Sequence, residues 1–175
     1  ERVYEHYYDS LPEDEQIAVS ALQASFDVFV SEDAGFGDTL LDEHFEQVKI
    51  RKNYSVNDLL LIKLYFGSCL ARPTKYNHEL FWMLSKKLLR VTSSSDIETD
   101  YVLKQTVLDS LAVQWMEKSY STFEPYVKAM NRLMILSQDF QKKPIVDMLE
   151  AMCTLFHKQD KEKAIHLYDR AIICA

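Results

Sequence analysis

Three glycines and four prolines in 175 residues leave this chain few places to turn sharply. Architectures rich in strands need such residues at their many turns, so they are excluded; the plentiful Leu, Ala, Glu, Lys and Gln, all good helix formers, point to an all-α chain. Cysteine is equally sparse. Cys69, Cys153 and Cys174 show no CxxC spacing, which excludes a disulfide framework or a zinc site and fits a reducing, cytoplasmic setting. No apolar run of about eighteen residues and no signal peptide occurs, so neither a membrane span nor export is expected. Positive charge is also short, with 20 Lys and Arg against 27 Asp and Glu and a net charge of −7, which opposes binding to a phosphate backbone. HExxH, an EF-hand loop, a phosphate-cradling glycine loop and GxSxG are all missing, so no cofactor, metal or catalytic site is expected.

What is present is apolar periodicity. Apolar residues make up 47% of the chain, ample for the core of one domain spanning residues 1–175. Pro12 and Glu13 start a helix that Ile17, Ala21, Ala24 and Val28 carry to about Val30, and Ser31-Glu32-Asp33-Ala34-Gly35 stops it. Gly35-Phe36-Gly37 reads as loop, and Asp38 or Thr39 caps a second helix. Ser55-Val56-Asn57-Asp58 has capping-box spacing ahead of a third, from Leu59 to Ala71, that is apolar nearly all round and should be central. Gly67 inside it calls for a close neighbour as compensation. Thr74 or Asn77 opens the next helix, and the polar linker 92–96 precedes a long one from Ile97. Its partner carries Pro125 in the first turn, and a last pair is joined at Lys158-Gln159-Asp160 with Asp160 as N-cap. The sum is about eight helices with short connections.

The last pair holds the clearest pattern. Ala164, Tyr168 and Ala171 fall at i, i+4 and i+7, which resembles the second helix of a tetratricopeptide repeat. The first-helix slots are Met148, Ala151, Met152 and Leu155; about forty positions earlier stand Leu108, Leu111, Ala112 and Trp115, and earlier still Phe66, Gly67 and Leu70. The expected fold is a right-handed superhelix of stacked antiparallel helix pairs, built on degenerate repeats longer than the strict one of about 34 residues. The repeat spacing also gives three rows for the concave side. They are Leu61, Leu64, Ser68, Ala71 and Arg72; Thr106, Asp109, Val113, Met116 and Glu117; and Val146, Leu149, Cys153, Phe156 and His157. Such largely apolar rows suit a short hydrophobic peptide, with Arg72 and Arg90 as candidates for its carboxylate. Ile172, Ile173 and Cys174 are candidates for a dimer contact at an open repeat end. Asp42-x-His44-x-Glu46 points its three side chains in different directions on a helix and is not expected to hold a metal.

The run 53–66, NYSVNDLLLIKLYF, the opening 10–29, SLPEDEQIAVSALQASFDVF, and the closing 142–172, KKPIVDMLEAMCTLFHKQDKEKAIHLYDRAI, together resemble the C-terminal helical-repeat region of the Rgg group of peptide-sensing transcriptional regulators. The resemblance implies a cytoplasmic, homodimeric regulator that binds a short signalling peptide in its concave face. It also implies that DNA is reached only through an N-terminal helix-turn-helix domain. No basic two-helix motif is seen here and the chain begins at Glu1 without an initiator Met, so that domain is expected to lie ahead of this segment. The competing expectation is a constitutive protein–protein scaffold of the tetratricopeptide type with no small-peptide ligand.

Overall fold

Ser55 opens its helix with both halves of a capping box: its hydroxyl accepts from the Asp58 N–H, and the Asp58 carboxylate accepts from the Ser55 N–H at 2.8 Å. The computed structural model describes residues 7–30, 35–91 and 96–174. The helix stop expected at 31–34 and most of the linker at 92–95 lie outside the described residues. Among those described there are eight α-helices and no strand. They are α1 (Glu13–Val30), α2 (Gly35–Ile50), α3 (Val56–Ala71), α4 (His78–Leu88), α5 (Ile97–Met116), α6 (Phe123–Ser137), α7 (Lys143–Phe156) and α8 (Lys161–Ile173). Asn77, Asp96 and Asp160 accept from the N–H three residues on and so cap α4, α5 and α8.

One helix start differs from expectation. Gly35-Phe36-Gly37 is the first turn of α2, not a loop. Gly37 is buried, and a Cβ there would lie 3.4 Å from Leu64 Cδ1 and 3.5 Å from the Ala24 Cβ, so packing against α1 and α3 draws these poor helix formers into the helix. Asp38, expected as a cap, is instead bound by Arg72 and Lys75.

Contacts divide the chain into two compact units, Glu1–Leu84 and Ser85–Ala175. In the first, α3 packs against both α1 and α2 and is buried nearly all round, as its sequence predicts. The neighbour at Gly67 is a side chain: a Cβ there would lie 3.3 Å from Cε2 of the Phe29 ring. Phe45, Tyr65, Phe66 and Phe81 form a chain of ring contacts with centroids 5.2–5.8 Å apart.

In the second unit α5, α6, α7 and α8 pack in succession, and α5 also meets α7. Successive helices are joined by left-handed residues, Lys118 (φ 56°), Gln138 (φ 53°) and Gln159 (φ 55°). Their spacing, 138 − 118 = 20 and 159 − 138 = 21, marks the repeat as clearly as the apolar pattern does. Two groups of buried polar side chains are paired here. Lys104 contacts Asp139 at 2.5 Å, Ser137 at 3.1 Å and Asp100 at 3.4 Å. Ser85, Ser110, Gln114 and Thr122 form a hydrogen-bonded chain. On α8 the buried stripe is Ala164, Leu167 and Ala171; Tyr168, expected to share it, is 52% exposed because none of the described residues packs over that side.

Candidate functional site

Helices α5 and α7 are the first members of two successive antiparallel pairs, and between them runs a groove of about 430 Å³. From α5 it is lined by Gln105, Leu108, Asp109, Ala112 and Trp115, and from α7 by Ile145, Met148, Leu149 and Met152. Gln105, Leu108, Ala112 and Trp115 follow the i, i+3, i+7, i+10 spacing of one helix face, as do Ile145, Met148 and Met152 at i, i+3 and i+7. Ala112 keeps the floor open. Trp115, Ile145 and Met148 are each more than 40% exposed along the rim. Seven of the nine lining residues are apolar; Gln105 and Asp109 supply the polar groups.

The α7 wall is fixed from behind. Asp147, wholly buried on α7, accepts two hydrogen bonds from Arg170 of α8 and another from Lys143. Burial alone would raise its pKa; the hydrogen bonds from Arg170 and Lys143 outweigh it and hold the carboxyl below its ordinary value. Asp139 is likewise held low, first by Lys104 and then by the Gln141 N–H. Cys153, on the buried side of α7, donates to the Tyr120 carbonyl at 3.1 Å, and burial pushes its thiol up.

Of the residues expected on the concave side, Asp109 and Leu149 come together in this groove. Thr106, Val113, Val146 and Cys153 are buried in the second unit, and Leu61, Leu64 and Ser68 in the first. Met116 is half-buried, while Glu117 and His157 are exposed. Phe156 is 55% exposed and stacks on Tyr120 with ring centroids 5.4 Å apart. Arg72 binds Asp38 through both terminal nitrogens, and Ala71 and Arg90 are exposed. Ile172, Ile173 and Cys174 are exposed at the end of α8. The remaining lining residues include five that the sequence pattern assigns to repeat packing: Leu108, Ala112, Trp115, Met148 and Met152. The signal available for them was the large-to-small change from Leu108 to Ala112 along one face.

Among the described residues no group of three His, Cys, Asp or Glu could hold a metal ion, and no helix is long and apolar enough to cross a membrane.

Paired antiparallel helices with a groove along their first members define the chain as a tetratricopeptide-like helical-repeat protein. The family described as ComR tetratricopeptide matches residues 1–175, and the chain belongs to that family. This meets the expectation of kinship with peptide-sensing regulators. Among solved structures the chain is similar to ComR from S. thermophilus in complex with DNA and its signalling peptide ComS, at 31% identity and TM-score 0.88, covering 99% of this chain and 59% of that one. It is similar to the competence regulator ComR from Streptococcus vestibularis in complex with its cognate signalling peptide XIP, at 28% identity and TM-score 0.87, covering 99% and 76%. It is also similar to ComR from Streptococcus suis, at 30% identity and TM-score 0.77, covering 98% and 56%. The chain thus spans under three-fifths of the S. thermophilus and S. suis proteins. No curated protein matches.

Proposed function

We propose that this chain is the ligand-sensing and dimerisation region of a cytoplasmic transcriptional regulator, and that it takes a short hydrophobic peptide in the groove between α5 and α7. The observation that carries the reading is the groove itself. At about 430 Å³ it lies within the size range of ligand pockets, about 300–1,000 Å³. Its apolar lining, with Gln105 and Asp109 as the polar groups, suits side-chain anchoring with a few orienting hydrogen bonds. Two of the similar ComR structures are complexes with signalling peptides, which supports the same ligand class here.

Control of DNA binding would be exerted through a helix-turn-helix domain belonging to the same regulator, since the acidic balance of these residues disfavours direct DNA contact. A peptide can switch such a regulator only by binding one of its arrangements more tightly than another. Ile172 and Ile173, 60% and 83% exposed, are the proposed dimer contact.

Calorimetric titration with short hydrophobic peptides tests the reading: saturable binding, lost when the groove is filled, is expected. Binding of a folded protein partner, with no response to any short peptide, would favour the scaffold reading instead.

A further inference from the structure

The methionines of the chain divide sharply by exposure. Met130 and Met134 are sealed in the core of the second unit, and Met83, Met116 and Met152 are half-buried. Met148 alone is exposed, 41% accessible, and it stands on the α7 side of the groove between α5 and α7, with Met152 one helical turn further on. The methionine most open to solvent is therefore part of the wall against which an apolar ligand would lie.

Packing does not call for sulfur at this place. One repeat earlier (148 − 108 = 40 residues) the corresponding position of α5 is Leu108, which lines the same groove from the opposite wall. Leucine and methionine are close in volume and in helix propensity, so either serves the repeat. They differ in chemistry: a thioether takes up oxygen and an isobutyl group does not.

We propose that Met148 is a site of reversible oxidation, at which a peroxide converts the thioether to the sulfoxide and the sulfoxide weakens ligand binding in the groove. The inference rests on the peptide reading above and adds its regulation. Hydrogen peroxide supplies the oxygen. Its O–O bond breaks, an S–O bond forms at Met148 Sδ and water leaves, so the sulfur gives up two electrons and the peroxide gains them.

The cost of the new oxygen falls on the complex and not on the fold. In the free chain the Met148 side chain already reaches water, which solvates the sulfoxide. In the complex an apolar ligand covers it. The side-chain donors among the lining residues are the Gln105 amide and the Trp115 indole N–H, and both stand on α5, across the ligand from Met148. A polar S–O group covered without a donor disfavours the bound state. Enzymatic reduction of the sulfoxide restores the wall.

Graded hydrogen peroxide followed by mass-spectrometric mapping is the first measurement: sulfoxide should build up at Met148 ahead of every other methionine. Cys174, which is exposed, is returned to its thiol with dithiothreitol, which leaves sulfoxides in place. The probe is the tightest binder from a library of short peptides made of Leu, Ile, Val, Phe and Gly, none of which peroxide oxidises. Its calorimetric affinity should fall at least about tenfold on Met148 oxidation, with the thermal melt unchanged, and should return after treatment with the two methionine sulfoxide reductases. Met148→Leu, compared only with itself, should show the same affinity before and after peroxide. Absence of binding by the unoxidised chain removes the peptide reading and this inference together. This inference alone is overturned, with the peptide reading left standing, if sulfoxide forms first at another methionine, if affinity survives oxidation of Met148, if its loss comes with a lowered melt, or if Met148→Leu loses affinity equally.

Discussion

Arg170 on α8 grips Asp147 on α7 with two hydrogen bonds, Nε to Oδ2 at 2.8 Å and Nη2 to Oδ1 at 2.5 Å. Since Asp147 is fully buried while Arg170 is part-exposed, the carboxylate depends on this pair and on Lys143 to remain charged. The groove wall formed by α7 is thereby tied to the helix behind it.

Asp147→Asn removes that charge and leaves two cations facing an amide. A loss of about 2 kcal/mol is expected at neutral pH, below the figure for fully buried pairs because Arg170 and Lys143 reach solvent. The pH dependence follows from the lowered folded-state pKa. The stabilisation is complete above the unfolded value, about 3.9, and is lost as the pH falls through the lower folded value. Thermal melts from pH 7 to pH 2 should show the gap between the two proteins closing below about pH 4. A constant gap would contradict the assignment.

The left-handed turns yield a second prediction. Gln138 ends α6 at φ 53°, where a side chain is strained and glycine is not. Gln138→Gly should stabilise by up to about 1 kcal/mol, part of the relief being offset by the greater freedom of glycine when unfolded. Urea denaturation should show the midpoint rising with an unchanged slope.

Gly67 gives a third. Alanine there meets the Phe29 ring at 3.3 Å, but Phe29 is 61% exposed and can swing aside. The helix-propensity gain should then prevail, so Gly67→Ala is expected to stabilise by about 0.5–1 kcal/mol. Equilibrium denaturation decides; destabilisation would mean that the ring is held in place.

Filling the groove gives the fourth. Ala112→Trp puts a large ring on the floor beneath Trp115 and Met148, where the space is open. Affinity for a hydrophobic peptide should fall at least about tenfold by calorimetry, with the fold retained by circular dichroism. Unchanged affinity would place the ligand elsewhere.

Much of the fold was legible. The run from Leu59 to Phe66 is apolar at every position but Lys63 and is buried on nearly every side, while Ser55 and Asp160 announced their helices through capping chemistry that acts locally. The start of α2 was not, because Gly35 and Gly37 are drawn into the helix by contacts distant in sequence. The phase of the groove was not legible either. Helix α5 buries Asp100, Lys104, Ser110 and Gln114 and exposes Tyr101 and Trp115, so polarity does not mark which face is inside. Pairing partners such as Asp139 and Thr122, which make that burial tolerable, belong to elements whose approach the sequence does not reveal. The groove-lining stripe of Gln105, Leu108, Ala112 and Trp115 accordingly lies one residue ahead of the expected Thr106, Asp109, Val113 and Met116.

The most direct test of the central claim uses the two tryptophans of the chain, Trp82 and Trp115. With Trp82→Phe in place, Trp115 on the groove rim is the sole reporter, and it is 44% exposed. Titration with a short hydrophobic peptide should shift its emission to the blue, saturating at the same concentration as the calorimetric signal. Calorimetric binding with the Trp115 emission unmoved would show that the peptide lies outside the groove between α5 and α7.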